Sequence, residues 1–283
     1  MPATCSSISK LLSVILMTSM LSCQVYSGRS FKPAIPGYND KKKTAYILHQ
    51  RLLEISGQVN LPSNRFAAIE DEEGKIFIFG TDPSQPIEKI KFAGKGDYED
   101  ITQVDSVFYV IESNGDLHEV IIDENGKAKS HQYKFKLEKK IEFESLVYYP
   151  SIRKLVLITK DHALDKDALY AYSFDLASKA FDPEPFFIIP KRDILRKMKD
   201  YSAQCKPSAA ALHPITGKLI LLASIGKSII QCTPEGKVEY AWDLNPDQFP
   251  QPEGISFASN GDMYISNEGL QGKATMIKYP YQP

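Results

Sequence analysis

The chain has little with which to build a redox or transition-metal centre. Its four cysteines, Cys5, Cys23, Cys205 and Cys232, form no C-x-x-C pair, and its five histidines, His49, His118, His131, His162 and His213, fall at no common place in a repeat. There is no G-x-S-x-G elbow, no H-E-x-x-H pair and no phosphate-binding glycine loop. Asp123-Glu124-Asn125-Gly126 is too short for an EF-hand. A basic excess is missing too: 34 Lys and Arg against 35 Asp and Glu give a net charge of −1. Nucleic-acid binding needs a clustered basic face, so no nucleic-acid partner is expected.

Long apolar runs are also missing. The one run of note, Leu11 to Leu21 after Lys10, is too short to span a bilayer and has the size of a signal-peptide core. Met20-Leu21-Ser22-Cys23 follows it. A small residue before Cys23 resembles a bacterial lipobox, although Met20 and Leu21 match that pattern imperfectly. The expectation is a lipoprotein-type signal over 1–22, a diacylated Cys23 and a membrane partner reached through that lipid. An ordinary secretory signal cut near Ser22 or Ser27 is the alternative. Either places the chain in a bacterial envelope, periplasmic or on the cell surface. Export permits a Cys205–Cys232 disulfide, and two buried free thiols fit the sequence equally well.

What is abundant is repetition. Glu99-Asp100-Ile101 leads to the alternating Val107–Glu112, Glu144-Ser145-Leu146 to Leu155–Asp161, and Glu253-Gly254-Ile255 to Met263–Glu268. Glu54-Ile55-Ser56 and Ser208-Ala209-Ala210 open similar but looser units. The openings at 54, 99, 144, 208 and 253 are spaced by 45, 45, 64 and 45 residues. A period of about 40–45 residues with several short strands per unit is the signature of a propeller blade. The interval of 64 is one blade with an insertion, Asp182 to Pro207, in which a short basic helix is expected from a cap near Asp193. That insertion is a surface decoration or a partner-binding element.

The fold expected is therefore all-β: a five-bladed β-propeller over 44–283, tethered by a flexible 23–43. After Glu253 only three strands fit, so a strand over Ala45-Tyr46-Ile47-Leu48 is expected to complete the last blade and close the ring. A monomer is expected. Turn glycines are expected at Gly74, Gly115, Gly126, Gly217, Gly236 and Gly261, each between two apolar runs.

Several of these phrases carry a resemblance. Asp71-Glu72-Glu73-Gly74-Lys75, Lys95-Gly96-Asp97-Tyr98-Glu99-Asp100, Ser113-Asn114-Gly115-Asp116-Leu117, Leu212-His213-Pro214-Ile215-Thr216-Gly217 and Gln251-Pro252-Glu253-Gly254-Ile255 resemble the SdiA-regulated family of bacterial envelope proteins. The likeness covers about Tyr46 to Tyr279. It implies a five-bladed propeller distantly similar to NHL-repeat proteins, with a calcium site and no established activity. Two departures stand out: Gln58-Val59-Asn60-Leu61 replaces the usual hydrophobic strand in blade 1, and Ser208 stands where other blades have Glu.

Residues repeated at the start of the innermost strand ring the central channel. Glu54, Glu99, Glu144 and Glu253, with Ser208 completing the ring, are candidate ligands for a hard cation. Calcium is favoured over magnesium for a wide, all-oxygen protein cage. The same residues could instead cap backbone N–H groups. A second set, Asp71, Glu112, Asp161, Ser224 and Glu268, closes the next strand and is a candidate channel rim, or merely solvated. Two functions follow: a calcium-stiffened module that binds an unknown protein or small ligand, or a calcium-dependent hydrolase of the lactonase or esterase type.

Overall fold

The computed structural model describes residues 35–136, 141–163, 165–269 and 272–283. The expected signal segment and Cys23 lie outside them. The chain first lays down β1 (Thr44–Ile47) and then five sheets in sequence order. Blade 1 holds β2 (Ile55–Leu61), β3 (Arg65–Glu70), β4 (Glu73–Gly80) and β5 (Glu88–Lys95). Blade 2 holds β6 (Tyr98–Val104), β7 (Val107–Glu112), β8 (Leu117–Ile122) and β9 (Ala128–Tyr133). In blade 3, β10 (Ile141–Tyr149), β11 (Lys154–His162) and β12 (Ala168–Asp175) are followed by a split outer edge, β13 (Ala180–Phe181) and β14 (Phe187–Pro190). Blade 4 is β15 (Lys206–Leu212), β16 (Leu219–Ile225), β17 (Ser228–Cys232) and β18 (Val238–Asp243). Blade 5 has β19 (Pro252–Phe257), β20 (Met263–Asn267) and β21 (Thr275–Tyr279), and β1 is its fourth strand. The ring is a five-bladed β-propeller closed by its N-terminal strand.

Burial on both faces explains the near-continuous apolar runs. Leu219 and Leu221 pack with Val156 and Ile158 of blade 3, while Ile220 and Leu222 pack with Ile255 and Ile265 of blade 5. Blade 2 repeats the rule: Phe108 and Val110 face Ala67 and Ile69, whereas Tyr109 and Ile111 face Leu155 and Leu157. A strand packed between two sheets has no solvent face, so both parities are apolar. Five clusters result, one at each blade interface.

Three local expectations are corrected. From Ile35 onward the expected tether is packed: Ile35 is buried against blades 4 and 5, and the Tyr38 hydroxyl donates to the Gly261 carbonyl at 2.6 Å. Gly74 is not a turn glycine but sits within β4, where a side chain would strike the backbone of Ala93 and Gly94. The other five expected turn glycines do take positive φ. The inserted helix α1 (Lys191–Met198) starts before Asp193, at Pro190 with no side-chain cap, and Asp193 pairs instead with Arg196 at 3.3 Å. Among the described residues no helix is long and apolar enough to cross a membrane. Cys205 and Cys232 are buried free thiols, and burial pushes both up to about 12.

Closure by β1 is testable. The strand pairs with β21 from Thr44 to Ile47, and Leu48 beyond it is buried against blade 1. Removing residues 44–48 should cost about 3 kcal/mol or more, from lost ladder bonds and apolar burial. That corresponds to a fall of roughly 6–12 °C in melting temperature, and an unchanged melt would show that the ring does not depend on this strand.

Candidate functional site

Each inner strand breaks its ladder just after it starts. Pairing jumps from Tyr98–Glu112 to Asp100–Ile111 in blade 2, and from Phe143–Thr159 to Ser145–Ile158 in blade 3. It jumps from Pro207–Ala223 to Ala209–Leu222 in blade 4, and from Pro252–Asn267 to Gly254–Ser266 in blade 5. The unpaired residue at each bulge is Glu99, Glu144, Ser208 or Glu253. A bulge re-aims its extra residue, and here it turns the recurring side chain toward the axis.

Blade 1 differs. Its break runs from Ile55–Glu70 to Gln58–Ala68, so Ser56 holds the bulge position. Glu54 lies two residues earlier, in register with Asp97, Glu142, Lys206 and Gln251. The four expected glutamates still meet: Glu54, Glu99, Glu144 and Glu253 line one cavity of ≈ 220 Å³ with Ser56 and Ser208. Ser208 does not replace a carboxylate. Its hydroxyl donates to the Pro252 carbonyl at 2.7 Å and ties blade 4 to blade 5.

The second strands bring Asp71 and Glu268 to the same cavity, but not Glu112 or Asp161. The register places Ser113 and Lys160, one residue along, level with Asp71 and Glu268. Glu112 turns into its own blade, 2.6 Å from His118 Nε2 and accepting from Gln132 at 2.9 Å. Asp161 pairs with Lys206 and lies 3.9 Å from Lys191. Ser224 supports the ring from behind, donating to Glu253 Oε1 at 3.0 Å.

With Asp97 the cavity collects seven carboxylates and, among the described residues, a single lysine, Lys160. Its ammonium donates to Glu144. Burial pushes Glu99 up to about 9, with Glu144 and Asp97 adding to it. Burial, then Glu144, pushes Glu253 up to about 7. Glu144 is also raised by burial, with Lys160 offsetting part of it. Burial opposes the charge of Lys160, yet Glu144, Glu99 and Glu253 together hold it above its ordinary value. Repeat counting missed this lysine because it stands where two other blades carry acids.

The cation-binding potential is greatest on the blade 1 side. Glu54, Glu70 and Asp71 each offer an oxygen, and these atoms lie within 4.8 Å of one another. Burial, reinforced by Glu73, pushes Glu70 up to about 7. Burial also raises Asp71 and Glu268, and each acid acts on the next: Glu72 and Asp97 add to Asp71, and Asp71 adds to Glu268. An oxygen-only set of this kind suits a hard cation. The blade 3 and 4 side is basic instead: Lys160, Lys206 and Lys227 line an adjoining cavity of ≈ 320 Å³. The mouth is thus acidic on one side and basic on the other.

Removal of Lys160 tests this balance. In Lys160→Met the three buried glutamates lose their offset and must stay protonated or ionise unpaired. Acids whose pKa is raised in the folded state make folding less favourable as pH rises from about 4.5 towards that raised value. The variant should therefore lose little at pH 5 and roughly 1–3 kcal/mol at pH 8, read by denaturant unfolding in chelator. Equal losses at both pH values would mean that Lys160 contributes packing alone.

Comparison with solved structures supports the architecture. Glutaminyl cyclase from Myxococcus xanthus superposes with a TM-score of 0.56 at 13% identity, over 85% of this chain and 96% of that one. Regucalcin from Agrobacterium tumefaciens, a calcium-binding protein, gives 0.52 at 11%, over 85% and 94%. A PQQ-bound aldose sugar dehydrogenase from Streptomyces coelicolor gives 0.50 at 8%, over 84% and 98%. At such identities the likeness is one of fold. No curated protein matches the chain. The model of the SdiA-regulated family matches residues 59–269, three quarters of the sequence, and the chain belongs to that family.

Proposed function

We propose that the protein is a calcium-binding propeller of the cell envelope whose acidic channel mouth holds the ion and whose body binds a further partner. The observation that carries this reading is the approach of Glu54, Glu70 and Asp71 within 4.8 Å, beside a cavity rich in carboxylates. Those three residues would hold the ion, with Glu268 next to them. Calcium would offset the mutual repulsion of these carboxylates, which adds to burial in pushing Glu70 up to about 7. The ring glutamates Glu99, Glu144 and Glu253 stand further round, where Lys160 already supplies a cation.

The hydrolase reading has less support. Among the described residues that line this mouth there is no histidine to act as general base. The Ser208 hydroxyl is committed to a backbone carbonyl. The regucalcin likeness is one of fold and does not choose between binding and catalysis. The envelope location rests on Lys10, the apolar run after it and Cys23.

Calcium should raise the melting temperature, and chelator should lower it. At a calcium concentration one hundred times the Kd the gain is about 2.7 kcal/mol. Glu54→Gln with Asp71→Asn should abolish the response, and magnesium should give a smaller one because it keeps its waters. Binding should also release protons and tighten as pH rises through about 7, where the raised carboxyl of Glu70 ionises. A melt indifferent to calcium and chelator, with no metal in the purified protein, would sink the calcium reading.

Lipid anchoring is tested separately. Cys23→Ser should move the protein from the membrane to the soluble fraction, since a diacylated cysteine supplies the two chains that stable anchoring needs. Unchanged membrane association after normal signal cleavage would refute the anchor.

A further inference from the structure

We propose that the opposite end of the channel is a binding site for an uncharged, mainly apolar small molecule. The site is a cavity of ≈ 510 Å³ lined by the downstream halves of all five inner strands. Val59, Ile101, Leu146, Ala211 and Ile255 represent β2, β6, β10, β15 and β19 there. Such a volume with an apolar lining is that of a small-molecule site.

The charge of the ligand follows from the lining. Among the described residues the cavity has no lysine or arginine, and Asp100 is its only acid. Both oxygens of Asp100 are already used: Oδ1 accepts from the Ile101 N–H and Oδ2 from the Leu146 N–H, each at 2.8 Å. Burial raises its pKa, the two N–H bonds oppose that rise, and neither oxygen is left open to a ligand. An ionic ligand would enter without a counter-ion, at a large desolvation cost.

Three polar side chains among the lining residues turn their unpaired atoms away from the void. Gln58, Ser256 and His213 are only 2%, 4% and 4% exposed. Gln58 donates through Nε2 to the Tyr264 carbonyl at 3.2 Å, which leaves Oε1 without a partner. Ser256 Oγ has no partner either. His213 Nδ1 accepts from the Ile215 and Thr216 N–H groups at 3.1 and 3.2 Å. In the neutral ring the proton is therefore on Nε2, a donor that meets no acceptor. All three atoms are buried as well as unpaired, so they lie behind the apolar lining and present an entering ligand with neither charge nor an open hydrogen bond. None of these residues belongs to the acidic mouth, so the inference stands apart from the calcium reading.

The probe is N-phenyl-1-naphthylamine, a neutral, apolar molecule with one N–H whose fluorescence rises in apolar surroundings. Titrated into the full chain, it should bind saturably, with one site per chain. The same skeleton bearing a sulfonate, 1-anilinonaphthalene-8-sulfonate, should bind at least about tenfold more weakly. Thr102→Trp fills the cavity from β6 and should weaken the neutral probe by a similar factor. Chelator and Glu54→Gln should change nothing, which separates this site from the calcium mouth. Non-saturable fluorescence, equal affinity for the sulfonated probe, or unchanged affinity in a Thr102→Trp protein with a normal melt would overturn the proposal. If Thr102→Trp fails to fold, Ala211→Leu, which fills the same cavity from β15, and the sulfonate comparison decide: weaker binding of the neutral probe together with the sulfonate penalty supports the site, and unchanged binding or equal affinity for the two probes overturns it.

Discussion

Five strands that start around one axis must crowd their first side chains into a space with little water. In this protein those side chains are mostly carboxylates, and the surrounding structure accommodates the charge that results. Bulges turn Glu99, Glu144 and Glu253 inward. Lys160 comes in from a second strand to meet Glu144, and Ser224 supports Glu253. What these partners do not offset is taken up by protonation, as the raised values of Glu99 and Glu253 record. A buried carboxylate cluster without partners would cost several kcal/mol per charge, so the acidic mouth exists only because each acid is paired, protonated or placed where a cation can reach it.

The same convergence shapes the packing outside the channel. Each sheet is pressed between two neighbours, and the five apolar clusters sit at the blade interfaces rather than in one central core. A ring built this way has one seam, where the chain's two ends meet, and β1 fills it by pairing with β21. Close to the axis the constraint becomes steric. A Cβ at Gly57 would strike Asp100, and one at Gly254 would strike Ser266. Glycine at Gly57 leaves the room in which the Asp100 carboxylate bonds the backbone of both β6 and β10. An exchange of that kind, a glycine on one blade for a clasping acid on the next, holds blades together by hydrogen bonds where apolar side chains do not fit.

How much of this was legible in the sequence depends on whether a feature follows spacing or register. The 45-residue recurrence fixes blade count, and the missing fourth strand after Glu253 points to Thr44–Ile47. Both depend only on how many residues a blade consumes. Register is another matter, because a bulge shifts pairing by one residue without changing the spacing of motifs. In blade 1 the recurring glutamate, Glu54, lies two residues before Ser56, which holds the bulge. Glu112 and Asp161 each lie one residue from the rim level, which Ser113 and Lys160 hold. Gly74 misled for a related reason, since close approach of backbone and a turn both select glycine. The packed segment from Ile35 was hidden because two anchors, Ile35 and Tyr38, stand in an otherwise polar stretch.

The residues Glu99 and Asp100 show how one strand serves two environments. Adjacent in sequence and only one step apart on β6, they face different ends of the channel: Glu99 lines the acidic mouth and Asp100 the apolar cavity. Their partners differ in kind. Glu99 is surrounded by other ionisable groups and titrates with them, whereas Asp100 is bound by two backbone N–H groups that do not titrate. The charge of Glu99 depends on Glu144, Asp97 and Lys160 around it, whereas the hydrogen bonds of Asp100 are fixed by the fold. The bulge at Glu99 is thus the boundary across which a mouth of ionisable groups gives way to an apolar cavity, and the repeat of that bulge in every blade carries the boundary around the ring.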